Sequence, residues 1–213
     1  MSLFKTITLF LMATGLSIFT FAKNDSTKNK STAPSAATYV LDVKSSSIEW
    51  LGSKKMGSAH NGNISFLNGQ VEVAGTEIKS GSFTVNMSTI TNMDLKDNPE
   101  YQGKLVKHLS SPDFFNVAKY PESTFKITKV ESKGPQQILV KGDLTMVGLT
   151  QPIEFPAHIQ FEKNTLSAEA KLKLDRTLWG LKYNSGNFFK DLAAEKIINN
   201  DFELTLKLVS TKM

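Results

Sequence analysis

Cysteine is absent from all 213 residues. That excludes a disulfide framework, a lipidated cysteine and any thiol nucleophile or thiolate metal ligand. A chain of this length must then be held by an ordinary hydrophobic core, and it is long enough to build one. Blocks of like charge are also missing. Lys and Arg number 25 against 20 Asp and Glu, a formal net charge of +5 spread along the chain, which argues for solubility and against a nucleic-acid partner. There is one long apolar run, and tryptophan occurs twice.

The apolar run, Ile7 to Phe21, follows Lys5 and ends in the small-x-small group Thr20-Phe21-Ala22. This is the pattern of a secretory signal peptide cleaved after Ala22. It falls short of the roughly 20 residues a spanning helix needs and is interrupted by Thr8, Thr14, Gly15 and Ser17, so no stable membrane anchor is expected once it is removed. Lys23 to Thr38 is rich in Ser, Thr, Lys and Asn, a composition that cannot offset its ordering entropy by burial. We read residues 1–22 as a signal peptide, 23–38 as a flexible linker and 39–213 as one globular domain, with a periplasmic or secreted location.

From Tyr39 onward the dominant period is two. Ile48 and Trp50 flank Glu49; Phe83, Val85 and Met87 alternate with Thr84 and Asn86; Ile153, Phe155, Ala157, Ile159 and Phe161 form the longest such series, and Phe202 to Leu208 closes the chain in the same way. Each run reads as a half-buried strand. Asn61-Gly62, Asn68-Gly69, Lys133-Gly134-Pro135 and Lys163-Asn164 read as hairpin turns, which makes consecutive strands antiparallel neighbours. Eight or more one-faced strands leave two edges exposed unless the sheet closes, so the expected fold is all-β, an antiparallel eight-stranded barrel, with a two-sheet sandwich as the alternative.

Two segments break the alternation. Pro99 to Ser110 places Tyr101, Leu105, Val106 and Leu109 at helical spacing behind a proline suited to a first turn. Asn187 to Ile198, with Phe188, Phe189, Leu192, Ala193, Ile197 and Ile198, suits a second helix, with Asp191 near its start and Lys196 near its end. Both are expected near the barrel mouths.

Catalytic signatures do not emerge. His60, His108 and His158, read as lying in a turn, a helix and a strand, have no second ligand at metal spacing, so no metal is expected. No serine sits in a Gly-x-Ser-x-Gly turn, and the acids are those any barrel surface carries, so the chain is expected not to be an enzyme. Aromatics are the informative supply: 14 Phe, 4 Tyr and 2 Trp. Trp50, Phe66, Phe83, Phe115, Phe125, Phe155, Trp179 and Tyr183 are candidates to line an interior that an eight-stranded barrel makes just wide enough for one small ligand. An ordinary packed core accounts for the same residues.

The sharpest local feature is Asp175-Arg176-Thr177-Leu178-Trp179-Gly180, where an alternating strand ends in an acid, a base and an aromatic. Arg176 at a rim suits an anionic or hydroxyl head group, with Trp179 covering a tail; equally, Arg176 pairs with Asp175 and stacks on Trp179 to fix the corner. The stretch from Lys54 to Gly62 offers Lys55 and His60 to a head group, or is a flexible turn.

These residues resemble the polyisoprenoid-binding, YceI-like family of bacterial periplasmic and secreted proteins. The likeness rests on Tyr39-Val40-Leu41-Asp42 with Ser45 to Trp50, His60-Asn61-Gly62, Gly81 to Val85, His108-Leu109 with Asp113 to Val117, and Tyr120-Pro121. It continues through Phe125, Gly142 to Thr145 with Gly148 to Thr150, and Asp175-Arg176-Thr177 with Trp179-Gly180. The ordered series runs from Tyr39 to about Val209. Asn187 to Asn200 does not align with it.

The resemblance implies a lipocalin-like barrel with an interior pocket for an isoprenoid, a fatty-acid-like lipid or another long-chain amphiphile, no further cofactor, an exported location and no covalent chemistry. The expected partner is such an apolar or amphiphilic small molecule, and the chain is compatible with a homodimer. The rival expectation is a non-catalytic stress-response or interaction module whose barrel is simply filled.

Overall fold

Apolar residues at every second position turn one side of each strand inward, and the sheet so formed closes on itself. The computed structural model describes residues 35–213; the expected signal peptide and residues 23–34 of the linker lie outside the described residues. Nine strands follow in order: β1 (Ala36–Leu41), β2 (Ser47–Lys54), β3 (Ala59–Ala74), β4 (Glu77–Asn86), β5 (Glu122–Gly134), β6 (Gln137–Met146), β7 (Leu149–Glu162), β8 (Thr165–Asp175) and β9 (Ile198–Lys212). One helix, α1 (Pro99–Ser110), lies between β4 and β5. β1 begins at Ala36, paired with Ala74, so Ala36 to Thr38 belong to the sheet and not to the linker. Their backbone groups gain ladder partners that a solvated tether lacks.

All strand pairs are antiparallel. From β3 the sheet passes through β4, β5, β6, β7, β8 and β9 and returns to β3 through β1 and β2, each of which pairs with both β3 and β9. β1 and β2 are therefore two halves of one stave, interrupted at Asp42 to Ser46. There Asp42 accepts the Lys44 and Ser45 N–H groups and the Ser45 hydroxyl, and these bonds hold its carboxyl below the ordinary range. The barrel thus has eight staves, the geometry that removes both free edges.

Inside, Phe83 faces Phe125 across β4 and β5, and Ile48 faces Leu206 across β2 and β9. The end of the barrel around β1 is filled by Tyr39 edge-on to Phe161, ring centroids 6.1 Å apart, with Val73 and Leu166 buried in the same core. Each such ring or branched side chain, fully buried, contributes roughly 1.5–3 kcal/mol.

Two turn assignments need correction. Asn61-Gly62 and Asn68-Gly69 lie within β3, a strand of 16 residues, and His60 is accordingly a strand residue. These glycines serve close approach. A Cβ on Gly69 would stand 2.5 Å from the Phe83 ring, and one on Gly62 would stand 1.8 Å from the Thr91 carbonyl oxygen. The β3–β4 turn instead falls at Gly75, where φ is +65°. The turns at Gly134 and at Lys163-Asn164 stand where the sequence places them.

The second expected helix is also corrected. Among Asn187 to Ile198 only Ala194–Lys196 makes one 3-10 turn, and Ala193 before it offers no side-chain cap. The far end of the segment is drawn into the sheet: the Lys55 N–H donates to the Ile197 carbonyl at 2.8 Å and Ile198 pairs with Lys54. What remains is shorter than the roughly 12 residues at which a helix in water becomes more than marginal. Phe188 and Phe189 are left exposed.

Candidate ligand-binding cavity

The interior above the packed end is open. An outer chamber of about 410 Å³ lies under α1, and an inner chamber of about 140 Å³ lies deeper in the barrel. Both are bounded by Ile48, Val85, Ser123, Leu144 and Leu204, so the two chambers of the bore adjoin at a waist of these five side chains. The outer volume alone falls within the roughly 300–1,000 Å³ of ordinary ligand sites.

α1 forms the roof. Asn98 accepts the Tyr101 N–H at its start, Pro99 occupies the first turn, and Lys104 pairs with Glu100 on the solvent side. Leu105, His108 and Leu109 turn toward the chamber, while Tyr101, expected on the apolar face, is exposed. A strap joins β4 to α1. Where β4 ends, β3 has a bare edge, and the strap covers it: the Thr91 N–H donates to the Asn63 carbonyl and the Met93 N–H to the Asn61 carbonyl, each at 2.9 Å. Trp50 Nε1 donates to the Thr91 carbonyl at 3.0 Å and so ties the wall of the chamber to the strap.

Asp94 fixes the strap further. It accepts the Asn61 N–H at 2.9 Å, His60 Nδ1 lies 2.8 Å away, and Asn92, almost fully buried, also donates to it. Burial pushes the Asp94 carboxyl up, but the bonds from Asn61, His60 and Asn92 outweigh it and hold the group below the ordinary 3.8. On the other side of the roof, His108 stands edge-on to Tyr183 at 4.7 Å and to Phe114 at 5.1 Å, with Nε2 3.2 Å from Asp113.

Arg176 is buried, at 5% exposure, and lines the outer chamber. Its guanidinium donates through Nε to the Asn199 carbonyl at 3.0 Å, through Nη2 to the Ile198 carbonyl at 3.1 Å and through Nη1 to the Leu181 carbonyl. No carboxylate among the described residues lies within ion-pair distance of it. Burial lowers its pKa and the field of Asp175 opposes that shift; the group stays charged. Asp175 itself accepts the Thr177 N–H and hydroxyl. The corner is thus fixed by carbonyls closing on a guanidinium, not by an Asp175–Arg176 pair.

Nine of the eleven sequence-predicted site residues meet the bore. Trp50, His60, Phe115, Arg176 and Tyr183 line the outer chamber, and Phe66, Phe83, Phe125 and Phe155 the inner one. Lys55 and Trp179 are not among its lining residues. Lys55 is exposed on a polar surface groove with Lys173 and Asp175. Trp179, only 1% exposed, donates Nε1 to the Leu144 carbonyl at 3.0 Å and packs behind the wall. Sequence reasoning did not assign His108, Leu105 or Ser123 to the cavity; for the first two the signal was the apolar face of α1, which had to cover something.

A sequence model of the YceI-like domain matches residues 39–210. The chain belongs to the YceI-like family. A UPF0312 protein of Shewanella denitrificans is 33% identical over 129 residues, 60% of this chain and 64% of that protein, so the match spans a little under two thirds of the relative's length. Among solved structures, Burkholderia cenocepacia BcnA superposes with a TM-score of 0.65 at 21% identity, covering 80% of this chain and 99% of that one. A polyisoprenoid binding domain from Saccharophagus degradans, implicated in plant cell wall breakdown, gives 0.58 at 14% identity, over 82% and 98%. At these identities the two structures speak for the barrel alone. Within the YceI-like family the closed eight-stave barrel is this chain's fold, in place of the sandwich.

Proposed function

We propose that this YceI-like protein is an exported carrier that holds one long-chain amphiphile, isoprenoid or fatty-acyl, with its tail in the bore and its polar end at the mouth, and carries out no covalent step. The observation that carries this reading is the pair of adjoining chambers along the barrel interior. A mouth chamber with Arg176, His60 and His108 adjoins, across an aliphatic waist, an inner chamber walled by Phe66, Phe83, Phe125 and Phe155. Each methylene taken out of water contributes about 0.8 kcal/mol, so ten would supply roughly 8 kcal/mol before the costs of association. Head-group contacts then serve orientation more than affinity. A close-packed interior would leave no such space, and the open volume favours the carrier over the filled interaction module. The polyisoprenoid-binding character of the Saccharophagus domain agrees with this assignment, and the Lys5 to Ala22 pattern supports export.

Native mass spectrometry of the protein purified from its own cell envelope, followed by organic extraction, tests the proposal. An added mass released as a prenyl or acyl compound is the expected result. A bare protein that takes up neither isoprenoids nor fatty acids offered in excess overturns it.

A further inference from the structure

The waist of the bore is a ring of five residues from five strands: Ile48, Val85, Ser123, Leu144 and Leu204. Four are branched aliphatics. The fifth, Ser123 on β5, is 6% exposed and lies directly across from Val85. It shares the inward face of β5 with Phe125 and Ile127. Its hydroxyl makes no hydrogen bond among the described residues and is not a sealed, unsatisfied atom, so it opens onto the two chambers that the residue borders.

Two physical consequences follow. A hydroxyl that opens onto an otherwise apolar bore and is not tied up by the protein is free to bond a polar group carried by an occupant. Serine is also the smallest member of the ring, so this position presents the least bulk between the two chambers. A leucine here would put about three more carbons into the waist, and an alanine would keep the width but remove the hydroxyl.

We infer that Ser123 is the specificity-determining residue of the bore: it admits chains too long for the outer chamber and hydrogen-bonds an oxygen function, hydroxyl or carbonyl, carried part-way along the ligand. This rests on the carrier reading and narrows it to long-chain amphiphiles oxygenated within the chain. Ser123 acts by contact with the ligand body and is independent of the head-group residues at the mouth.

The test titrates decanoate, stearate and a set of hydroxystearates differing in hydroxyl position into the delipidated full chain and its Ser123→Ala and Ser123→Leu variants. In the wild type, one hydroxyl position should bind about three- to tenfold tighter than stearate, the worth of one hydrogen bond. Ser123→Ala should erase that preference and leave stearate affinity unchanged; Ser123→Leu should keep decanoate and lose stearate by tenfold or more. Decanoate binding also reports that the leucine variant is folded. The ligand-free Ser123→Ala protein should melt at or above the wild-type temperature, because no hydrogen bond within the protein is lost; a lower melting temperature would show that the hydroxyl serves the fold, and overturns the inference. Equal affinities at every hydroxyl position in the wild type, or full stearate binding by Ser123→Leu, also overturn it while leaving the carrier reading intact. A wild type that binds none of these probes also overturns the inference, and the carrier reading falls with it only if isoprenoids are refused as well.

Discussion

Gly62 on β3 and Thr91 on the strap touch backbone to backbone, so closely that a Cβ on the glycine would lie 1.8 Å from the Thr91 carbonyl oxygen. That same carbonyl accepts the Trp50 indole N–H at 3.0 Å. The absence of a side chain at one position is therefore what lets the strap seal the β3 edge and anchor the cavity wall.

Gly62→Ala should displace the strap, since the neighbour is backbone and cannot rotate away. Overpacking of this kind costs about 1–3 kcal/mol. Chemical denaturation should show at least that loss, and amide exchange should accelerate at Thr91 and Met93, whose N–H groups bond to β3. Unchanged exchange there would contradict the strap's role.

Arg176→Met should cost about 3 kcal/mol or more, because three carbonyls lose a charged donor at once. Arg176→Lys should recover only part of it: an ammonium cannot reproduce the fork that reaches Asn199, Leu181 and Ile198 together. Thermal melts of both variants decide the point, the lysine variant falling between wild type and methionine.

Trp50 and Trp179 are the only two tryptophans, and they should report differently. Trp50 lines the outer chamber and Trp179 lies behind it. Ligand uptake should change the emission of the wild type and of Trp179→Phe, but leave Trp50→Phe silent. Trp179→Phe should lower stability by about 1–3 kcal/mol through the lost indole hydrogen bond to the Leu144 carbonyl and the lost packing, with ligand affinity of the folded protein held within about twofold.

Acid should loosen the strap. The Asp94 carboxyl is held below its ordinary value in the folded protein. A depressed carboxyl contributes stability that is present above its unfolded pKa and is lost as pH falls through the folded one. Thr91 and Met93 amide protection should therefore be constant above the ordinary carboxylate range and decline as pH drops below about 3.8. Asp94→Asn should flatten that decline. An equally steep decline in the variant would assign the effect to another acid.

Much of the barrel is written in local pattern. Alternating residues such as Ile153, Phe155, Ala157, Ile159 and Phe161 leave no choice but strand, and Pro99 places the start of α1 at the residue where it occurs. The glycines misled for a physical reason. Positive φ and close backbone approach both demand glycine, and only the fold says which: Gly75 turns the chain, while Gly62 and Gly69 make room for Thr91 and Phe83. The apolar segment after Asn187 carries helical spacing, but the sheet claims its end, since pairing Ile198 with Lys54 satisfies backbone that a short helix would leave exposed.

By itself, then, the sequence determined most of the strands and the aromatic character of the interior, because each depends on residues two or four apart. The tertiary structure decided what depends on residues far apart. It made one stave of β1 and β2, placed Arg176 against carbonyls some twenty residues away, withdrew Trp179 and Lys55 from the bore and set Ser123 opposite Val85 at the waist. A space enclosed by eight strands has no local signal, because no single strand forms more than a fraction of its wall.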